Sequence, residues 1–180
     1  PRVGKFTEDG EPRLIPGHSV PIATLGTLIL WMGWFGFNAG SSFVGTGELG
    51  RICVNTAISG SAGALLAMAL FWFLQGTPTI QTTLHGILGG LVAITACCHC
   101  VTPASALLIG AVAGAIATGG GLFIEHRLKL DDVVGAVPVH LLCGIWGTVC
   151  VAIFHESGFN ITQLWIQLFG TLFTLSLIHI

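Results

Sequence analysis

The 180-residue chain holds six Lys/Arg and eight Asp/Glu, so 8% of it is charged while 53% is hydrophobic, with a mean hydropathy of +0.88. An ordinary soluble domain is about 25% charged; this chain cannot cover a soluble surface and reads as an all-α integral membrane protein. Its net charge of −2, with no basic patch, excludes a nucleic-acid partner, because phosphate binding needs clustered cations.

Residues 1–18 are polar, contain Pro and Gly, and read as a loop. The rest is a train of apolar runs. A helix needs about 20 mostly apolar residues to cross the hydrocarbon. Six runs approach that length, at about 19–43, 51–74, 79–98, 102–125, 133–154 and 160–180, which predicts a polytopic bundle of about six transmembrane helices over 19–180. The breaks are GTGELGR (45–51), QGTPT (75–79), Thr102-Pro103, EHRLKLDD (125–132) and HESGFN (155–160). Positive charge sets orientation. Arg2, Lys5 and Arg13 precede the first run, Arg127 and Lys129 lie between the fourth and fifth, and Arg51 alone falls on the other side. Residue 1 is therefore predicted to be cytoplasmic, in a multi-pass protein of the lipid bilayer.

The first run carries WMGWFGFNAGSS (31–42), a mixture of Trp, Phe, Gly, Asn and Ser that a purely lipid-facing helix does not need. In the second, Asn55 and Thr56 are mid-helix polar groups expected to bond across helices. The third and fourth hold Gly86/Gly90 and Gly110/Gly114, a spacing that lets backbones approach closely in lipid. CCHC (97–100) contains zinc-ligand residue types. Its ligands are too crowded to close one tetrahedron, so the cluster is read as small apolar residues at a helix end and no metal is expected.

An ionisable residue in mid-span is a functional hypothesis by default. His140 stands about seven residues into the fifth run, roughly 10 Å deep at 1.5 Å per residue. Pro138, two positions earlier, removes a backbone donor and can kink the helix. His85 is at a similar depth in the third run, which runs in the same direction; it is a second candidate pore residue. Whether the two histidines face each other is not set by spacing. His18, His99, His126 and His155 fall at span ends or loops, and His179 near the chain end is open to either reading. Asp131 and Asp132 precede the His140 helix, where acidic groups cap free N–H groups and favour the dipole; their expected role is structural.

Four segments, GWFGFNAGSS (33–42), VNTAISGSAGALL (54–66), GGLVAITACCHCVTPASALLIGAVAGA (89–115) and DDVVGAVPVHLLCGIWGT (131–148), together resemble the ammonium transporter superfamily (Amt/Mep, with the Rh proteins as distant relatives), in family order and spacing. The resemblance implies an eleven-helix fold whose first ten helices form two inverted five-helix repeats around a pore. This chain resembles helices six to eleven, and is expected to be a fragment of a longer protein or a half-length relative. By resemblance, Trp34, Phe37, Asn38 and Ser41 match the pore-side motif. Ser41 matches the serine that binds the cation in the outer vestibule, Phe37 one of two gate phenylalanines, and His140 one of two pore histidines. Asn38 is assigned a structural part. Departures from the family pattern are Gly135, where an acidic residue is usual, Leu141, where glycine is usual, His85, where Asn or a small polar residue is usual, and Pro138.

The implied activity is passage of ammonium or ammonia without covalent chemistry or cofactors, so no enzyme is expected. The implied assembly is a homotrimer or a larger membrane complex. Two other readings follow from the same residues: a transporter-like ammonium sensor acting with a cytoplasmic regulatory protein, and a degenerate half acting as a structural membrane subunit.

Overall fold

The computed structural model describes residues 1–43, 45 and 47–178, with the side chain of Ile178 left aside; His179 and the end of the sixth apolar run lie outside the described residues. Six α-helices and no strand occur among the described residues: α1 Val20–Gly40, α2 Glu48–Gln75, α3 Ile80–Thr95, α4 Pro103–His126, α5 Cys143–Ile153 and α6 Ile161–Ile178. A π-helical turn, Val137–Leu142, runs directly into α5. By length and composition α1, α2 and α4 can each cross a membrane, while α3, α5 with its π-helical turn, and α6 are shorter apolar helices.

Local chemistry places the helix ends. Ser19, Thr79 and Thr102 accept the N–H groups of Ile22, Thr82 and Ser105 through their side chains, which satisfies donors that have no partner inside the helix. Pro21 and Pro103 sit in first turns, where no N–H is needed. Gly76 closes α2 in the left-handed conformation, φ 79°, with its N–H on the Trp72 carbonyl. The helix of the third apolar run stops at Thr95, because residues 96–101 fold into turns. Asn55 of α2 holds those turns by donating from Nδ2 to the Cys98 and Val101 carbonyls, both at 2.9 Å. The thiols of Cys97, Cys98 and Cys100 bond to carbonyls three or four residues earlier.

The centre of the bundle is a contact of bare backbones. A Cβ added to Gly63 of α2 would stand 2.3 Å from the Gly86 carbonyl oxygen of α3, and one on Gly90 would stand 2.3 Å from the Ser59 oxygen. On α4, a Cβ on Gly110 would meet the Ser59 oxygen at 2.2 Å and one on Gly114 the Gly63 oxygen at 2.3 Å. The two glycine pairs of α3 and α4 thus press on one ridge of α2, Ser59–Gly63–Ala67, from two sides. Ser59 adds a hydrogen bond from Oγ to the Gly90 carbonyl, 2.7 Å. α5 joins by the same device: a Cβ on Gly147 would lie 2.2 Å from the Ala93 oxygen.

Residues 1–18 form a docked turn, with Phe6 pairing to Pro12. Arg2 binds the Asp131 carboxylate through its backbone N–H (2.7 Å) and through Nε and Nη2 (3.0 and 2.8 Å). Lys5, buried, pairs with Glu125 and donates to the Arg13 carbonyl. The basic segments before α1 and after α4 therefore share one end of the bundle. Arg51 pairs with Glu156 (2.5 Å) and the His99 carbonyl (2.5 Å) where α2 begins and the turns after α3 and α5 lie.

Gly110→Leu is expected to destabilise the bundle by about 3 kcal/mol or more, because overpacking here meets backbone rather than a mobile side chain; thermal unfolding in detergent measures it. The Arg2 guanidinium and backbone N–H hold the Asp131 carboxyl down at about 2, against about 3.9 in an unfolded chain. A depressed carboxyl contributes stability above its unfolded value, and that contribution is lost as pH falls through the folded one. Amide protection in residues 1–13, measured relative to the intrinsic exchange rate at each pH, should fall as pH drops from about 4 towards 2, and Asp131→Asn should produce the same loosening at neutral pH.

Candidate functional site

The C-terminal half of α1 is fixed by two side chains. Trp34 donates from Nε1 to the Thr95 hydroxyl of α3 at 2.8 Å. Asn38 is buried (5% exposed) and donates from Nδ2 to the Thr56 hydroxyl of α2 at 3.0 Å. Thr56 spends its own proton on the Ile52 carbonyl, 2.7 Å, so it can only accept from Asn38. The Asn38 Oδ1 has no partner among the described residues.

With Asn38 turned inward, Phe37 before it and Ser41 three residues after it are exposed. Phe37 is 59% exposed and meets Trp34 edge to face, ring centroids 6.2 Å apart at 70°. Ser41, one turn further, is exposed at the end of α1 and donates from Oγ to the Phe37 carbonyl at 2.6 Å. That bond occupies the only hydroxyl proton, so the remaining lone pairs make Ser41 an acceptor.

His140 lies in the π-helical turn with Pro138 two residues before it. π-helical turns re-aim side chains and are frequent at functional sites. The His140 ring is exposed and lines an open groove of about 410 Å³ between α5 and α6, with Gly144, Thr148, Gln167, Thr171 and Thr174 among the lining residues. Asp132 caps the turn, accepting from the N–H groups of Ala136 (2.9 Å) and Val137 (2.8 Å). Asp131 faces away into the Arg2 pair.

His85 is placed differently. It is partly buried in α3 and packs on Gly135, in the loop before the π-helical turn; it is absent from the lining of the His140 groove. The two histidines therefore have separate surroundings.

Thr56, expected from the sequence to bond across helices, does so with Asn38; Thr95, the partner of Trp34, is not singled out by sequence pattern, because nothing along the chain marks which helix α1 meets. Gln167, Thr171 and Thr174 carry a readable signal. They stand at i, i+4 and i+7 and so share one face of α6, a polar stripe on an otherwise apolar helix.

The family model described as the Ammonium Transporter Family matches residues 1–180. A protein of Archaeoglobus fulgidus named ammonium transporter Amt2 is 48% identical over 163 residues, covering 89% of this chain and 34% of that protein. Ammonium transporter Amt1 of Haloferax mediterranei is 39% identical, over 94% of this chain and 35% of its own length. A solved structure titled Sensor Amt Protein superposes with a TM-score of 0.91 at 40% identity, covering 96% of this chain and 44% of that one. The crystal structure of Candida albicans Mep2 superposes with a TM-score of 0.82 at 26% identity, covering 91% of this chain and 40% of that one. The chain thus spans between a third and a half of the proteins it matches.

Asn38→Ala should cost about 1–3 kcal/mol, the usual penalty when a buried hydrogen-bond partner is removed. It should also free α1 to rotate, seen as faster hydrogen exchange over Phe37–Ser41 in the complete protein.

Proposed function

The chain belongs to the ammonium transporter family, and we propose that it supplies the C-terminal half of a membrane pathway for ammonium or ammonia. The observation that carries this reading is the register of α1: burial of Asn38 leaves Phe37 and Ser41, one turn apart, together on an uncovered face. A hydroxyl acceptor thereby stands next to an apolar ring, the pair a small cation needs at the entrance to a barrier.

Bringing a bare cation into low dielectric is prohibitive, so the charge is bound at the edge and passed on neutralised or paired. Ser41 suits the first step, since its lone pairs face outward while its proton stays on the Phe37 carbonyl. Trp34 and Phe37 add aromatic faces, each cation–π contact contributing about 0.5–2 kcal/mol. Phe37 then forms the apolar constriction. His140 stands beyond it in the π-helical turn, and a neutral imidazole offers one donor and one acceptor, which can accept ammonia's hydrogen bonds or hold a proton in transit. By this reading the uncovered faces of α1 and of the α5–α6 groove are completed by the rest of the transporter. Residue 1 lies on the cytoplasmic side, and the assembled protein is a homotrimer.

A second reading is favoured by the superposition on the structure titled Sensor Amt Protein: binding of ammonium at the Ser41–Phe37 site reports its level to a cytoplasmic partner. The two readings differ in whether substrate crosses.

Uptake of ammonium or methylammonium into liposomes containing the complete protein separates them. The transporter reading expects saturable flux. Ser41→Ala should raise the half-saturating concentration by about 10–100-fold, the scale of one hydrogen bond to a charged group. His140→Ala should lower the maximal rate by about 10²-fold, the scale of a lost proton-handling group. Flux no greater than that of empty liposomes would sink the transporter reading in favour of the sensor; unchanged flux in His140→Ala would remove the histidine from the pathway.

A further inference from the structure

His85 takes no part in the route described above, yet it lies closely on the loop that leads to His140. A Cβ added to Gly135 would stand 2.6, 2.9 and 3.0 Å from Cε1, Nδ1 and Nε2 of the His85 ring. Three ring atoms at nearly equal distance mean that the imidazole presents its face to the Gly135 Cα, with no space left between them. The ring also adjoins the Val134 backbone and stands within electrostatic range of Asp132.

Gly135 has φ +69°, a left-handed conformation that glycine adopts without strain. It starts the element that carries His140: the Val139 N–H bonds the Gly135 carbonyl at 3.2 Å, and the Asp132 carboxylate takes the two N–H groups in between. The same loop is tied at Asp131 to Arg2. Glycine can leave this conformation as easily as adopt it, so the turn needs an external surface to define it, and the His85 ring lies on it.

We propose that His85 is a positioning residue for His140: its ring face, seated on Gly135, sets where the chain enters the π-helical turn and hence where the His140 imidazole stands. The importance of this for transport rests on His140 being a pathway residue; the positioning itself does not. A misplacement of about 1 Å can cost up to about 10²-fold in rate, so a small shift of the turn is enough to matter. The contact leaves no room for a substrate between ring and glycine, which separates this role from that of a second pore histidine.

The test uses the complete protein in liposomes, with isotope-labelled histidine so that the His140 ring resonances can be followed, and with each variant checked for wild-type elution and unfolding temperature. His85→Ala is expected to move the His140 resonances and lower ammonium flux by ~10-fold. His85→Phe keeps a flat ring on Gly135 and is expected to retain the His140 resonances and most of the flux. Gly135→Asn, a residue that tolerates positive φ, should lose flux by collision with the ring, and the double variant Gly135→Asn/His85→Ala, in which no ring is left to collide with, should fall to the level of His85→Ala and no further. Unmoved His140 resonances in folded His85→Ala protein overturn the proposal. So does a flux defect that is deeper in the double variant than in His85→Ala alone, or a loss in His85→Phe equal to that in His85→Ala. Should the wild type carry no ammonium, the pathway reading fails while the resonance comparison still decides the positioning role.

Discussion

The structure depends on one constraint: α2 touches α3 and α4 backbone to backbone along Ser59, Gly63 and Ala67. The carbonyls of Ser59 and Gly63 occupy the space where four side chains on α3 and α4 would begin, at Gly86, Gly90, Gly110 and Gly114. In lipid, apolar surface gains little by leaving the solvent, so helices associate through close packing and hydrogen bonds. Missing side chains provide the first and Ser59, bonded to the Gly90 carbonyl, the second. α1 and α5 are placed against this three-helix unit, α5 repeating the device through Gly147 against Ala93, and α6 packs on α5.

Polar side chains then decide rotation. α1 is apolar on most of its surface, and burial alone would leave its angle about its own axis loosely defined. Trp34 on Thr95 and Asn38 on Thr56 choose one angle, because an unpaired polar group in hydrocarbon costs several kcal/mol. Asn55 does the same for the chain after α3 by gathering the Cys98 and Val101 carbonyls. Those two bonds fix the angle of α1, and at that angle Phe37 and Ser41 are exposed.

At the opposite end a chain of contacts leads from the first residues to His140. Arg2 holds Asp131, Asp132 caps the π-helical turn, Gly135 beneath the His85 ring sets its start, and His140 follows five residues on. The docked segment before α1 is therefore coupled to the site through short polar contacts, and Pro138 fits because the first turn of a helix needs no N–H at that position.

Composition and hydropathy by themselves determined the class of the protein, its membrane setting, the helical architecture and the glycine pairs that pack it, since those follow from solvation and from spacing within one helix. The four segments at 33–42, 54–66, 89–115 and 131–148 were together sufficient to point to the family, because these are local patterns. Only the tertiary structure decided what each polar residue meets: that Trp34 bonds Thr95, that Asp131 and Asp132 have different partners, that the third helix ends at Thr95, and that His85 lies on Gly135. Depth in a helix is a one-dimensional quantity and can be counted along the chain. Azimuth and partnership depend on which backbones come close, and that was set by glycines and serines on other helices.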